Sequence, residues 1–126
     1  MDEINYAAPP EIDKLAAALA KAQATIEGAN KEALNPHFGK KYADLGSCWA
    51  ACRKPLSDNG LAVIQIPSTD GNLVTVRTIL MHSSGQSVEG LLSVQNKNRQ
   101  NPSQGIGSCI TYLRRYALCG FVGISP

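Results

Sequence analysis

Arg114 and Arg115 stand side by side in the stretch QGIGSCITYLRRYALCG, residues 104–120, with Tyr112 just before them. Thr111 and Ser108 precede Arg115 by one and two helical turns. Guanidinium groups fork onto phosphate oxygens, hydroxyls donate to phosphate or sugar, and a phenol ring stacks on an unpaired base. These residue types at this spacing therefore suit a sugar-phosphate backbone. At 100° per residue, Ile106, Ile110, Leu113 and Ala117 share one narrow sector, with Cys109, Tyr116 and Gly120 at its edge. The spacing predicts an amphipathic helix over 104–119 that lays this stripe on a hydrophobic layer. Opposite the stripe fall Ser108, Thr111 and Arg115, flanked by Tyr112, and Arg114 lies on its shoulder. No acidic residue follows Glu89, so nothing close in sequence neutralises the arginine pair. The same pattern also describes the solvated outer face of an ordinary amphipathic helix.

Two other basic segments join the candidate surface. NPHFGKKYAD, residues 35–44, sets Lys40 and Lys41 beside Tyr42 in a turn-rich stretch. Its lysines can grip phosphates, Phe38 suits the core, and Tyr42 either stacks on a base or pins the loop. QNKNRQNPS, residues 95–103, carries Lys97 and Arg99 among amides and reads as a mobile basic loop. Gly105-Ile106-Gly107-Ser108 opens the predicted helix. It allows either close helix–sheet packing or a phosphate received by backbone N–H groups at a helix N-terminus. It lacks the third glycine of a dinucleotide fingerprint and the lysine of a P-loop.

Other chemistries find little support. His37 and His82 fall in different elements without a nucleophile beside either, and the acids are too few and scattered for a carboxylate metal cluster. The expectation is a protein that is not an enzyme and uses no metal or cofactor. Cys48, Cys52, Cys109 and Cys119 do not have zinc-site spacing and are too few for a disulfide scaffold, so buried free thiols in a reducing cytoplasm are expected. No apolar run approaches the roughly 20 residues needed to span a bilayer, and no signal peptide is evident. The formal charge of +2 conceals an asymmetry: residues 1–36 hold three lysines against six acids, whereas residues 37–126 hold nine basic groups against four acids. A basic second part favours an anionic partner.

The elements that must position these residues follow from the periods. A hydrophobic fraction of 44% over 126 residues supports one globular domain, 1–126, with residues 1–10 frayed. Pro10 and the acids at 11 and 13 start a helix with the stripe Ile12, Leu15, Leu19 and Ile26, ended by Gly28. Asp44 N-caps a second helix from Leu45 to about Asp58, where Pro55 should bend it or split it. The period then changes to two: strands over 61–66, 73–82 and 86–94 are separated by Thr69–Asn72 and Ser83–Gly85. This predicts an α+β fold, a three-stranded antiparallel meander covered by the long C-terminal amphipathic helix, with helices before the sheet. Phe121–Ile124 reads as the start of another strand, and a natural C-terminal tail is expected beyond Pro126.

QGIGSCITYLRRYALCGFVGI resembles the signature of the Erf (essential recombination function) family of phage single-strand annealing proteins, and NPHFGKKYADL followed by RKPLSDNGLAVIQ resembles its upstream block. Three blocks in one order cover roughly Leu34 to Ile124. The resemblance implies ATP-independent binding of single-stranded DNA, strand annealing in recombination and DNA repair, and assembly into oligomeric rings or filaments. It also implies a core shared with the eukaryotic Rad-type annealing protein and a location in the host-cell cytoplasm. A single-strand-binding protein of phage or host, reached through a tail, is a further implied partner. Matching positions are Arg114 and Arg115, Gly107 and Ser108, and Lys40, Lys41 and Tyr42; Cys109 stands where a small residue such as alanine is usual. The competing reading is a basic adaptor module that binds nucleic acid or protein without annealing.

Overall fold

The computed structural model describes residues 10–28, 33–34, 41–42 and 44–125. Its elements are α1 (Asp13–Thr25), β1 (Ala33–Leu34), β2 (Lys41–Tyr42), α2 (Leu45–Asp58), β3 (Leu61–Asp70), β4 (Leu73–His82), β5 (Ser87–Gln95) and α3 (Pro102–Val122). The last three strands form an antiparallel sheet in the order β3-β4-β5, and β1 pairs with β2 in a separate short ladder. The α+β meander read from the sequence is the fold observed.

Alternation decides how the sheet is dressed. Val74, Val76, Thr78 and Leu80 of β4 point to one face and are buried. α3 covers that face, with Leu113 packed on Val74 and Val76. Thr78 is the one buried polar side chain among the described residues, and Gln65 of β3 satisfies it by donating Nε2 to Thr78 Oγ1 at 3.1 Å. β3 runs four residues further than its β-branched core, through Pro67 to Asp70, because an edge strand tolerates a missing N–H.

The larger core lies at the other end of α3. Leu118, Cys119 and Val122 are enclosed by Leu15, Ala18 and Ala22 of α1 and by Cys48, Cys52 and Leu56 of α2. Small side chains let the helices approach: Cys119 Sγ donates to Cys48 Sγ at 3.1 Å, and Ala22 is fully buried. α3 is therefore covered on the sheet side along its length, and on its outer side only over its second half.

Several expectations change. α1 starts at Asp13 and buries Leu15, Ala18 and Ala22, with Leu19 and Ile26 partly buried against the same core; of the predicted stripe only Ile12 is left exposed. α2 stays one element through Pro55, with Asp44 capping it by accepting from Ser47 N at 2.8 Å. Phe121 and Val122 belong to the last turn of α3, not to a strand. Gly123 adopts the left-handed conformation (φ 85°), its N–H and that of Ile124 both donate to Cys119 O, and buried Ile124 closes the cap. The segment 95–103 is not a loose loop either. Asn96 Nδ2 donates to Pro102 O, Asn98 N donates to Asn96 Oδ1, and Asn101 N donates to Asn98 Oδ1. Its amides tie the turn together, leaving the charged side chains outside.

The start of α1 has no cap of its own. Gln86, from the β4–β5 turn, accepts from the backbone N–H groups of Lys14 and Leu15 at 2.9 and 3.0 Å and donates to Asp13 Oδ1 at 2.9 Å. That amide also holds the Asp13 carboxyl below its ordinary range. Gln86→Ala should cost about 1 kcal/mol, in the range of a lost N-cap, and lower Tm by several degrees. An unchanged melting curve would show that the cap does not hold α1.

Burial pushes the Cys52 thiol up to about 11 and the Cys119 thiol, which also donates to Cys48, up to about 12. A raised folded-state value gives stability that is complete below the unfolded thiol value of about 8.5 and is lost as pH rises through the folded values. Urea midpoints should therefore decline from about pH 8.5 upward, and less steeply in Cys52→Ala/Cys119→Ala. Equal alkaline slopes in the two proteins would refute this.

Candidate nucleic-acid interface

The covering of α3 sorts the candidate residues. In its first half Gln104, Gly107, Ser108, Thr111 and Tyr112 are exposed, while Ile106, Cys109, Ile110 and Leu113 turn to the sheet. Lys97 and Arg99 are exposed on the turn that leads into this half. Together they make one open strip, basic at the helix start and hydroxyl and aromatic along the helix.

The glycine–serine pair does not form a phosphate nest. α3 begins at Pro102, so Gly107 and Ser108 lie past its first turn, where N–H groups bond within the helix. The true N-terminus is closed by Asn101, whose Oδ1 accepts from Gln104 N at 3.2 Å. Gly105 instead serves packing: a Cβ there would meet Asn96 Oδ1 at 2.1 Å. Ser108 remains available as a surface hydroxyl only.

The two arginines diverge, in the reverse sense to the helical-wheel reading. Arg114 is exposed and leans towards edge strand β3, its Nε donating to Gln65 Oε1 at 3.3 Å, while Gln65 Nε2 donates to Arg114 O at 3.0 Å. It borders a cleft of about 280 Å³ with Trp49, Val63 and Leu118. Arg115, assigned to the open side, is half-buried because the α1–α2 layer covers this part of α3. Its guanidinium lies 4.8 Å from the Tyr116 ring centroid. Its charge also reaches a carboxylate that lies far away in sequence. Hydrogen bonds from Ser47 hold Asp44 below its ordinary range, and the Arg115 charge adds to the effect.

Tyr112 and Tyr116 are both exposed, with ring centroids 4.7 Å apart. The sequence reading left Tyr116 at the edge of the apolar stripe; its i,i+4 relation to Tyr112 is the signal that reveals the pair. Gln65 was missed because a lone glutamine in a strand announces nothing about its partners. Lys41 and Tyr42 lie in β2 by their backbone, two residues before the Asp44 cap. Lys40, Phe38 and His37 lie outside the described residues, as does the frayed segment expected before Pro10. Among the described residues no group of three or more histidines, cysteines or acids could hold a metal ion, and no helix is long and apolar enough to cross a membrane.

Arg114 and Arg115 should therefore separate on substitution. Arg115→Ala removes a half-buried stem and a cation from the α2–α3 junction and should cost about 1–2 kcal/mol, whereas Arg114→Ala should cost under about 0.5 kcal/mol. Thermal melts of the two single variants test this; equal losses would contradict the difference in burial.

In comparisons with known proteins, no curated protein and no solved structure matches the chain. A family model described as the ERF superfamily matches residues 15–126, from α1 through the end of α3. On that match over nearly its whole length, the chain belongs to the ERF superfamily.

Proposed function

We propose that this chain binds single-stranded DNA and anneals complementary strands without ATP, working as an oligomer in recombination and repair. Family membership supports the recombination role. The observation that carries the binding reading is the open strip of Lys97, Arg99, Ser108, Thr111 and Tyr112, in a region with no acid after Glu89. Arg114 and Arg115 flank it, and Lys40, Lys41 and Tyr42 are proposed to add to it.

The chemistry requires no covalent step, and the protein acts here as a binding surface rather than an enzyme. Annealing needs a surface that offsets phosphate repulsion, holds strands extended with bases available, and releases the duplex. A few lysines and arginines per chain bind weakly, so repetition of the strip in an oligomer supplies avidity, with closed symmetry as the usual arrangement. The uncovered face of the sheet supports that assembly. Ile64, Ile66 and Leu91 are exposed on it around the Arg77–Glu89 ion pair, and β3 and β5 are its edges.

A strand-annealing assay with and without ATP, and with chelator, tests the proposal, with light scattering run alongside. Annealing should proceed in every condition at a particle mass many times 13.4 kDa. Lys97→Ala/Arg99→Ala should reduce affinity for all sequences alike and flatten the log–log salt dependence by about 0.7 per lost phosphate contact. Single-strand binding without annealing would favour the adaptor reading, and no binding would refute both.

A further inference from the structure

Resting on the single-strand reading, we infer that the cleft between α2, β3 and α3 is a nucleotide subsite, in which Arg114 takes a phosphate and Trp49 the adjoining base. The cleft encloses about 280 Å³. Leu45, Val63 and Leu118 make it apolar, Trp49 lines it half-buried, and Gln65 and Arg114 bring polar groups to it. Small-molecule clefts run from roughly 300 to 1,000 Å³, so this one suits a single ring system. A partner helix, about 10 Å across with its side chains, is too wide for it.

The cation identifies the occupant. Arg114 is exposed and, among the described residues, forms no ion pair. Its Nε donates to Gln65 Oε1 at 3.3 Å. Gln65 is itself held, because its Nε2 donates to Thr78 Oγ1 at 3.1 Å and to Arg114 O at 3.0 Å. This clamp engages one edge of the guanidinium and leaves both Nη groups for a ligand, a fork that matches two oxygens of a phosphate. Asp44, next to Leu45, does not take that fork. Its carboxylate accepts from Ser47 N at 2.8 Å, and the cation acting on it is Arg115. A fixed anion fork beside an indole and an apolar floor complements a nucleotide, which carries charge at one end and a flat ring at the other. Aromatic stacking accepts any base, as a protein that anneals arbitrary sequences requires.

The cleft also lies on the path of the strand. Thr111 and Gly107 precede Arg114 by one and two turns on the same flank of α3, and both are exposed. A strand held by its phosphates at Lys97 and Arg99 therefore has an open way along the β3 side of the helix to the cleft. Its other nucleotides stay outside and free to pair. A base already paired and stacked in a duplex cannot enter, so the subsite holds one base of a single strand and gives it up when a complement pairs with it.

Trp49 is the only tryptophan of the chain, so its emission reports on the cleft alone. Titration with a thymidine oligonucleotide should quench that emission at the midpoint of binding, whereas an abasic oligonucleotide of equal length should bind without quenching. Trp49→Leu should lose about tenfold in affinity for the thymidine strand, in line with the loss of one stacked base, and nothing for the abasic one. Should that variant fail to fold, the emission of the unaltered chain decides alone. Arg114→Ala should weaken binding of both oligonucleotides and flatten the log–log salt dependence by about 0.7. Lys97→Ala/Arg99→Ala should weaken both as well but leave the quenching at saturation intact. Binding of the thymidine strand with unchanged emission, equal quenching by the two oligonucleotides, or an unchanged salt slope in Arg114→Ala would overturn the subsite while leaving single-strand binding in place. An unaltered chain that binds neither oligonucleotide would overturn the binding reading and this inference together.

Discussion

The enclosure of the second half of α3 governs the rest of this molecule. Leu118 and Val122 are almost completely buried between the sheet and the α1–α2 layer, and Cys119 meets Cys48 at 3.1 Å across the helix pair. Each large side chain buried there contributes on the order of 1.5–3 kcal/mol, against roughly 0.5–1.5 kcal/mol for a typical hydrogen bond. Apolar contact therefore sets the position of α3, and the polar groups adjust to it. Cysteine and alanine suit the junction because short side chains let the helices approach closely. The cap on α1 from Gln86 and the left-handed turn at Gly123 then secure the two chain segments that close this core.

One consequence is that α3 has two regimes. Its first half rests on the sheet through the smaller cluster around Val74, Val76 and Leu113, with nothing among the described residues over its outer side. Its second half is covered on two sides, with Arg114, Tyr116 and Gly120 still exposed. The same enclosure draws Arg115 inward beside Tyr116 and towards Asp44, while Arg114 is left at the β3 edge with Gln65. Adjacent arginines 100° apart on a helix thus occupy different environments, one at a junction and one on a rim. The surface suited to a nucleic acid runs along the open half and is basic mainly at its start, where Lys97 and Arg99 project from an asparagine-bound turn. Its charge is modest, which makes shape and aromatic contact count for more than they would on a strongly basic protein.

Legibility followed the range of the interaction involved. β4 was readable to the residue because alternation over 73–82 and the flanking turns are local signals. The ends of α2 were equally clear from Asp44 on one side and Asn59-Gly60 on the other, whereas its continuity through Pro55 was not. Phe121–Ile124 was misread because an apolar run of four has no period of its own, and its helical state comes from continuity with α3 and from the cap. Residues 95–103 looked loose because amides are polar, whereas here they bond to one another and to the backbone.

By itself the sequence determined the three helices and the three strands of the main sheet, the family resemblance and the concentration of positive charge in the second part of the chain, but not the short β1–β2 ladder. These depend on residue periodicity, turn chemistry and composition, all properties of neighbours along the chain. Only the tertiary structure decided that α3 would be covered twice over its second half, that the Asp44 carboxylate would come within the influence of Arg115, and that Gln86 would cap a helix 72 positions away. A helical wheel assumes a single buried side. α3 has one where it meets the sheet and a second where α1 and α2 close over it, and that second side follows from packing between segments that no local pattern relates.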